Sequence, residues 1–332
     1  MEENSFRVFV TGATGVLGRV LIPELIKAGA QVRAMVRQAG GSRQKSVPGW
    51  ESVEWIEGDL GDLPLLEKAV EGMDFVVHGA ALVSFDPADR ELLYLTNAEG
   101  TANMVNVCLK ETGLRRFLHI SSVSTMSPSK PMPAELDERQ GFNPDENTSD
   151  YAHSKYRAEL EVIRGVEEGL PAMVLNPSII LAPGEEDESS SGLFGFVRKE
   201  RMFYPEGWIN YVDARDVVGF ILEGLKRGTN TGERYLLSAG AISYQLFFGT
   251  CASKLGLRAP FIRARPWMRE IAWRLEFLGS LIFRTRPLLT RFTAASSAKQ
   301  LIYKGKNVQD FWPGFRYHTL EESLDWILKK PA

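Results

Sequence analysis

The chain has 332 residues, of which 44% are hydrophobic and 24% charged, and its formal net charge is −3. These values are ordinary for a globular protein of one large domain, or of one domain with a smaller lobe, and they give no sign of nucleic-acid binding. Two cysteines are too few for a disulfide framework or a cysteine-rich metal site, and no apolar run approaches the ~20 residues that a membrane span needs. The first residues show no signal-peptide pattern, and together these observations predict a cytoplasmic protein.

Strand and helix patterns alternate through the first half of the chain. Short apolar runs predict strands at 7–10, 31–37, 53–57, 75–78, 117–121 and 172–176, and helical patterns occupy 18–28, 97–112 and 150–169. Alternation at this spacing predicts an α/β fold with a doubly wound parallel sheet of the Rossmann type. His78 and His119 lie within strand patterns, and we interpret both as packed histidines.

The alternation weakens after about residue 177. A strand pattern at 209–212, a helix through Leu225 and a strand at 234–237 follow, and the chain from about residue 240 onward is mostly helical. We therefore predict a nucleotide-binding domain of residues 1–176 plus about 207–237. A smaller, mainly helical substrate lobe would comprise about 177–206 and 238–332. Two loops stand out, a proline-rich one at 123–149 and an acidic one at 183–192.

The first predicted strand leads directly into TGATGVLG, residues 11–18, and then into a helix. Gly12 permits a tight turn, Gly15 lets a pyrophosphate approach the backbone, and Gly18 allows close packing of helix on strand. The helix N-terminus supplies amide donors and a partial positive charge. We predict that this loop, including Thr14, Val16 and Leu17, binds a dinucleotide; a glycine-rich connection without a ligand is the alternative.

The second strand offers no carboxylate for an adenosine ribose. An NAD site usually has Asp or Glu about twenty residues beyond the glycines, whereas this strand ends in Arg37 and is followed by Gln38. Arg37, helped by Arg33 or by Arg43 and Lys45, would pair with a 2′-phosphate. The sequence therefore favours NADP over NAD, unless these cations only solvate an edge of the sheet.

Tyr151 and Lys155 stand four residues apart, which on a helix places them on one face about one turn apart. Free tyrosine titrates near pH ~10, and a fixed positive charge beside it would lower its pKa toward a catalytically useful range. The spacing predicts a tyrosine acid or base activated by lysine.

Several motifs together carry a resemblance to a known family. They are TGATGVLG, Gly58-Asp59-Leu60, Ala80-Ala81, Asn97 with Gly100-Thr101 and Asn103, Ser121-Ser122, and Tyr151 with Lys155. The set resembles the extended short-chain dehydrogenase/reductase superfamily, and within it the dihydroflavonol 4-reductase, 3β-hydroxysteroid dehydrogenase and epimerase–dehydratase group. The match spans residues 6 to about 225, and the C-terminal third is similar only in general plan.

The resemblance implies a role for each matching residue. Tyr151 would be the acid or base at a carbonyl oxygen, Lys155 would hold the nicotinamide ribose, and Ser122, rather than Ser121 or Ser124, would orient the substrate oxygen. Asn97 would help position the site. The other implied cofactor contacts are Asp59, Leu60, Ala80, Ala81, Asn176, Pro177 and Ser178. Capping roles remain open for Ser122 at a strand end and for Asn97 at a helix N-terminus.

The substrate lobe is less clear from the sequence. Apolar candidates for the pocket wall, which equally suit an interdomain core, are Leu82, Val83, Phe85, Met126, Met132, Leu193, Phe194, Phe196 and Phe203. The basic segment 263–291, with apolar residues at helical spacing, suits either weak contact with an anionic membrane surface or a lobe helix with a buried stripe.

The sequence thus predicts an NAD(P)-dependent oxidoreductase that interconverts a carbonyl and an alcohol on a small, fairly apolar substrate. The alternatives are a nucleotide-sugar epimerase or dehydratase that retains NAD, and a dinucleotide sensor without catalysis. We expect a small-molecule substrate, no metal site and no nucleic-acid partner, and a homodimer remains open because the family often forms dimers.

Overall fold

The computed structural model describes residues 6–45, 47–128, 133–145, 148–184, 191–227, 231–283 and 289–328. The strands are β1 Phe6–Thr11, β2 Ala30–Val36, β3 Glu54–Glu57, β4 Phe75–His78, β5 Arg116–Ile120, β6 Ala134–Leu136, β7 Ala172–Pro177, β8 Ile179–Leu181, β9 Phe203–Tyr204, β10 Trp208–Asp213, β11 Arg234–Leu237, β12 Gly240–Ser243, β13 Ile262–Arg263 and β14 Leu301–Tyr303.

The helices are α1 Gly18–Lys27, α2 Ser42–Lys45, α3 Leu63–Val70, α4 Arg90–Leu93, α5 Gly100–Lys110, α6 Asp150–Glu167, α7 Ser191–Arg198, α8 Ala214–Lys226, α9 Tyr244–Leu255, α10 Pro266–Phe283, α11 Arg291–Ser296, α12 Asn307–Phe311 and α13 Leu320–Ile327. Short 3₁₀ turns lie at Trp50–Ser52, Pro87–Asp89 and Val123–Thr125, and a π-helical turn at Tyr94–Glu99 joins α4 to α5.

The central sheet has seven strands in the order β11-β7-β5-β4-β1-β2-β3, and every pair in it is parallel. Helices cover both faces. Leu21, Leu25 and Phe220 of α1 and α8 pack on one face, and Met104 and Val162 of α5 and α6 pack on the other. The strands are apolar throughout because both of their faces are buried. The predicted Rossmann fold is confirmed.

Three differences separate the structure from the sequence prediction. The strand predicted at 209–212 belongs to a separate three-stranded sheet with β8 and β12. The helix predicted to begin at Asn97 begins at Arg90 and continues through the π-helical turn. The proline-rich loop contains β6, which pairs in parallel with the distant β14. The division into two lobes stays a prediction.

Within the described ranges, no helix is both long and apolar enough to cross a bilayer. Part of the acidic loop, 185–190, lies outside those ranges.

Candidate active site

The candidate site lies where the strand order of the central sheet reverses. β1 and β4 are parallel neighbours with Thr11 opposite His78, and the chain proceeds outward from them in both directions. In an open parallel sheet, such a reversal leaves a crevice beyond the carboxyl ends of the strands, where ligands bind. The glycine loop follows β1 at this edge, and the Tyr151 helix α6 packs against β7 and α5.

The glycine loop folds as the sequence predicts. Gly12 has φ +77, and a Cβ on it would lie 2.6 Å from the backbone of Gly79. A Cβ on Gly18 would lie 2.4 Å from the Gly12 carbonyl oxygen. A Cβ on Gly15 would approach that same oxygen only to 3.3 Å, so its own backbone tolerates a side chain better. Two of the three glycines are therefore required by packing alone, whether or not a ligand binds.

The N-terminus of α1 faces this loop without a side-chain cap. Leu17 occupies the N-cap position and makes no capping hydrogen bond through its side chain. The neighbouring Arg19 donates to the Thr14 carbonyl at 3.2 Å, so a guanidinium also lies beside the loop. The positive end of the helix dipole and a nearby cation suit a phosphate group. The sequence prediction missed Arg19, although its place one residue inside the helix was a signal.

Tyr151 lies in the first turn of α6, whose start is fixed by Ser149. The Ser149 hydroxyl accepts from the Ala152 amide at 3.1 Å and so caps the helix. The Ser122 side chain lies beside the Tyr151 phenol and lowers the pKa of that group, and Ser122 Oγ accepts from the Ser124 amide at 3.1 Å. Ser122 therefore caps a 3₁₀ turn and contacts the phenol at once.

Lys155 lies one helical turn beyond Tyr151 and is buried. Its ammonium donates to the Ile120 carbonyl at 2.8 Å and lies 3.5 Å from His119 Nε2. Burial lowers the pKa of Lys155 from 10.5 to about 8, while the nearby Glu159 opposes that shift. Burial and the charge of Lys155 also hold the pKa of His119 well below its usual value, so this imidazole is neutral.

The expected effect of Lys155 on Tyr151 is not found. Burial raises the pKa of Tyr151 above its usual 10.0, and the neighbouring Ser122 side chain opposes the rise without cancelling it. The prediction that Lys155 lowers this pKa is wrong for this arrangement, because the ammonium is bound to Ile120 and desolvation of the phenolate dominates.

Asn97 is buried, and both polar atoms of its side chain have hydrogen-bond partners. Its amide group donates to the Leu82 carbonyl at 2.9 Å and to Ser154 Oγ at 2.9 Å, and its Oδ1 accepts from the Leu82 amide at 2.7 Å. Ser154 Oγ in turn donates to the Tyr151 carbonyl at 2.8 Å. Asn97 thus links the loop after β4 to the helix of Tyr151. It lies inside a helical segment, so the helix N-cap interpretation is wrong.

His78 joins Thr101 and Thr11 in a chain of hydrogen bonds in which the donor and the acceptor of each bond can be assigned. Thr101 Oγ1 donates to the Asn97 carbonyl at 2.6 Å, so its oxygen accepts from His78 Nε2 at 3.0 Å. His78 Nδ1 then accepts from Thr11 Oγ1 at 2.8 Å, and Thr11 Oγ1 accepts from the Ala80 amide at 3.1 Å. Burial lowers the pKa of His78 to about 3, which keeps the ring neutral and this order fixed.

A buried carboxylate that the sequence analysis missed supports the loop of Ser122. Glu159 Oε1 accepts from Ser121 Oγ at 2.5 Å, from Thr125 Oγ1 at 2.8 Å and from Asn176 Nδ2 at 2.5 Å. Its other oxygen lies 3.2 Å from Arg234 of β11. Tyr151, Lys155 and Glu159 repeat every four residues on one face of α6, and that spacing was the available signal.

Two polar residues at the end of β7 differ in their hydrogen bonding: the side chain of Asn176 is bonded, and that of Ser178 is not bonded within the described residues. Asn176 is used by Glu159 and by the Ser122 carbonyl at 3.1 Å, so it supports the loop. Pro177 follows it, and both are buried. Ser178 is buried, its amide donates to the Leu237 carbonyl at 2.9 Å, and its hydroxyl has no hydrogen-bond partner within the described residues.

The predicted contacts of the adenosine half fall at the ends of β2 and β3. Arg37 is exposed directly after β2. Arg33 is engaged elsewhere: it pairs with Glu54 at 2.9 Å and donates to carbonyls at the end of α3, so the prediction that it helps Arg37 is wrong. Lys45 is exposed, and the side chain of Arg43 lies outside the described part of the chain.

The segment after β3 is held by α5. The Leu60 carbonyl accepts from Asn103 at 2.8 Å, and a Cβ on Gly100 would lie 2.9 Å from the Leu60 Cβ. Asp59 is exposed and accepts from the Gly61 amide at 2.8 Å. Ala80 and Ala81 lie in the loop after β4 that Asn97 fixes through Leu82.

The predicted pocket wall is only partly assembled around Tyr151. Phe85 meets the Tyr151 ring edge-on at 5.8 Å and stacks on Phe292 of α11 at 5.2 Å. Val83 lies exposed on the same loop, while Phe203 lies on β9. Four other candidates belong to cores instead: Met126 packs with Leu136 and Leu236, and Leu193, Phe194 and Phe196 pack in the core of α7 and α9. Met132 lies outside the described residues.

These features fit a dinucleotide cofactor of the nicotinamide type. The tight glycine cradle, the N-terminus of α1, the buried cation Lys155 and the Ser178 hydroxyl all lie at the edge of the central sheet where its parallel strands end. Within the described residues, no group of three or more His, Cys, Asp or Glu side chains is placed to hold a metal ion.

Comparisons with known proteins bear on this site. The sequence model of the NAD dependent epimerase/dehydratase family matches residues 8–237. A protein of Synechocystis sp. named "Putative dihydroflavonol 4-reductase" is 30% identical over 323 residues, covering 95% of this chain and 92% of that protein. Sterol demethylase protein B of Methylococcus capsulatus is 33% identical over 233 residues, covering 69% and 68%.

Two solved structures illustrate the similarity of fold. The crystal structure of gox2253 matches with a TM-score of 0.78 at 26% identity, over 97% of this chain and 98% of that chain. The Bordetella bronchiseptica enzyme WbmG, solved in complex with NAD, matches with a TM-score of 0.76 at 19% identity, over 98% and 94%. At 19% identity the likeness to WbmG concerns the fold alone.

Proposed function

The chain belongs to the NAD dependent epimerase/dehydratase family and is an NAD(P)-dependent oxidoreductase; on that premise we propose that it interconverts a carbonyl and an alcohol on a small, fairly apolar substrate. The observation that carries the proposal is the position of Ser122 beside the Tyr151 phenol, one helical turn from the buried Lys155. Two hydroxyls there can meet one substrate oxygen. When bound, the nicotinamide would supply or accept the hydride.

Five residues of the candidate site each have a role in this proposal. Ser122 donates to the substrate oxygen and orients it. Tyr151 gives its proton to that oxygen as negative charge develops during reduction, and takes it back in the reverse direction. Lys155 holds the ribose hydroxyls of the cofactor. Asn97 and Glu159 touch neither partner; they fix the loop after β4 and the loop after β5 on which those groups depend.

The proposed cofactor is NADP rather than NAD. The support is Arg37, an exposed cation directly after β2, where an NAD site would have a carboxylate. Arg37 would pair with the 2′-phosphate. Glu57 of the neighbouring β3 does not take the missing place, because its carboxylate accepts from the Ala39 amide at 3.2 Å.

The substrate is proposed to be apolar because Phe85 and Phe292 form the wall beside Tyr151. One relative supports the same class: a matching protein of Dictyostelium discoideum is named sterol-4-alpha-carboxylate 3-dehydrogenase, decarboxylating. A second, named cinnamoyl-CoA reductase in Oryza sativa, supports reduction at a carbonyl but not an apolar substrate, because a coenzyme A thioester carries phosphates. A second candidate is a nucleotide-sugar epimerase, since one similar fold was solved with UDP-glucuronic acid and NAD.

The test is oxidation of NADPH against a panel of aldehydes, ketones and sterol-like carbonyls, beside a panel of nucleotide sugars. We expect turnover of apolar carbonyls with stoichiometric loss of NADPH. Turnover of a nucleotide sugar by enzyme that co-purifies with NAD, with no net change of the cofactor, would reject the proposal in favour of the epimerase.

A further inference from the structure

The helix α10, Pro266–Phe283, has its apolar stripe on the outside of the molecule. Trp267, Ile271 and Leu275 recur every four residues and so share one face, and their exposed fractions are 60%, 50% and 63%. The opposite face carries Arg269, which is 17% exposed and pairs with Glu206 at 3.6 Å. A helix of a globular protein normally turns its apolar face inward. This arrangement is the reverse of the buried stripe that the sequence also allowed.

The apolar face is bordered by arginines. Residues 258–291 contain two acidic residues, no lysine and eight arginines, although the whole chain is acidic; the arginines are Arg258, Arg263, Arg265, Arg269, Arg274, Arg284, Arg286 and Arg291. Of these, Arg284 and Arg286 lie outside the described residues, while Arg258, Arg263, Arg265 and Arg274 are exposed. Two of these four are ion-paired, Arg263 with Glu206 at 2.8 Å and Arg274 with Glu270 at 2.6 Å, so within the described residues Arg258 and Arg265 are the members of the four without an ion pair.

Further exposed apolar side chains lie beside the start of α10. Phe261 is 51% exposed, and its amide donates to the carbonyl of Met202, which is also 51% exposed. Phe203, the next residue, is 40% exposed on β9, and β9 pairs with β13 directly before α10. The exposed apolar surface therefore extends from the helix onto the small β9–β13 sheet.

We propose that this surface, the exposed face of α10 with Met202, Phe203 and Phe261, lies on an anionic membrane surface, with α10 parallel to the bilayer plane. A helix with an exposed apolar face and a basic border inserts its apolar side chains at the level of the lipid headgroups, and its arginines meet anionic lipids. Arginine stems also lie along apolar surface while the guanidinium stays in water.

A second copy of the chain suits this surface less well. In a two-fold dimer the same patch faces itself, so the arginine border of one subunit would meet the arginine border of the other. Like charges brought together in this way oppose association. An anionic bilayer instead supplies the complementary charge all along the face.

The position of α10 gives the contact a consequence that rests on the proposed function. α10 packs against α11, and Phe292 of α11 stacks on Phe85, which meets Tyr151. A membrane-bound enzyme would therefore hold the apolar wall of its site close to the lipid. An apolar substrate dissolved in the bilayer would reach Tyr151 without crossing water.

The test is co-sedimentation of the full chain with phosphatidylcholine vesicles and with vesicles that also contain phosphatidylglycerol, at low and high salt. We expect binding to the anionic vesicles only, and weaker binding at high salt. The double variant Ile271→Glu/Leu275→Glu should lose roughly tenfold or more of this binding, and Arg265→Glu/Arg274→Glu should lose a similar part. The matched control is Leu246→Glu, a change of a leucine 56% exposed on α9, which should bind as the unchanged protein does.

Three results would overturn the proposal. The first is no binding to anionic vesicles at low salt, and the second is equal binding by Ile271→Glu/Leu275→Glu. The third is a dimer in analytical ultracentrifugation that this double variant dissociates while vesicle binding is absent. Turnover of a water-soluble substrate is measured in parallel. If the Ile271→Glu/Leu275→Glu variant loses vesicle binding but keeps this turnover, the membrane contact is separate from catalysis; if the unchanged protein shows no turnover, the proposed function fails independently of the membrane contact.

Discussion

Lys155 Nζ donates a hydrogen bond to the Ile120 carbonyl oxygen at 2.8 Å, at the carboxyl end of β5. This contact ties the helix of Tyr151 to the central sheet and places a buried charge beneath the candidate site. Burial of that charge lowers the pKa of Lys155 from 10.5 to about 8. The charged amine therefore destabilises the folded state at pH values below about 8.

Replacing Lys155 should stabilise the fold at neutral pH while removing cofactor binding. Below pH 8 the amine is protonated in the folded and the unfolded chain, and its burial costs at most about 3 kcal/mol. Between pH 8 and 10.5 the unfolded chain binds more protons, so the stability of the unchanged protein rises through that window. Urea unfolding should show Lys155→Met to be the more stable at pH 7, by a margin that shrinks toward pH 10.

The control for this prediction is Lys45→Met, a change of an exposed lysine of α2. It should leave the free energy of unfolding nearly unchanged at both pH values. If Lys155→Met were less stable than the unchanged protein at pH 7, and the difference in unfolding free energy did not depend on pH, burial of the Lys155 charge would not destabilise the fold.

Arg37→Asp should shift the cofactor preference toward NADH. The change removes the proposed partner of the 2′-phosphate and places a repelling charge there. Loss of a charge-assisted hydrogen bond predicts a fall of roughly tenfold or more in the ratio of NADPH to NADH affinity, measured by titration of protein fluorescence. Arg33→Gln is the control, because Arg33 is bound to Glu54 and should affect stability without changing the ratio. An unchanged ratio in Arg37→Asp would reject the role of Arg37.

Glu159→Ala should destabilise the protein and loosen the loop of Ser122. The change leaves Arg234 without its ion-pair partner and the buried Ser121 hydroxyl without its acceptor, and it removes one of the acceptors of Thr125 and Asn176, which predicts a loss of about 3–5 kcal/mol in the free energy of unfolding. Leu160→Ala, on the neighbouring exposed position of α6, should cost far less. Similar losses in the two variants would show that the Glu159 network contributes little.

The direction of the Tyr151 shift predicts the pH dependence of turnover. Burial raises the pKa of the phenol, so the free enzyme keeps its proton through the neutral and mildly alkaline range. Reduction, which needs the acid form of Tyr151 and the charged Lys155, should show a level kcat/KM up to about pH 8, where Lys155 begins to lose its proton, and alcohol oxidation should become faster as pH rises below that point. A reduction profile that falls with a midpoint below pH ~7 in step with loss of one proton, and that keeps this midpoint in Lys155→Arg, would mean that the phenol is acidified after all.

The strands of the central sheet were predictable because parallel strands are buried on both faces and appear as short apolar runs. Helix α3 was missed, although Asp62 at its N-cap and Pro64 in its first turn are recognisable signals. The convergence of Glu159, Asn176 and Arg234 could not be found, because three separate elements supply them.

The candidate site, like the fold, was predictable only in part. The four-residue spacing gave the shared face of Tyr151 and Lys155, but not the burial that sets their pKa values or the turn of Lys155 toward Ile120. Phe292 lies in a region without a recognisable motif, and only the fold brings it to Phe85.

The most direct test of the account is hydride transfer by Tyr151→Phe with an apolar carbonyl substrate found in the panel, measured as single-turnover loss of NADPH absorbance. NADPH affinity is measured on the same preparation, with His153→Ala as the matched change on the same helix, since His153 packs against Phe142 away from Tyr151. We predict that Tyr151→Phe loses at least about a thousandfold in rate while its NADPH affinity stays within about twofold of the unchanged protein. Near-normal hydride transfer by Tyr151→Phe would contradict the assignment of Tyr151 as the proton donor.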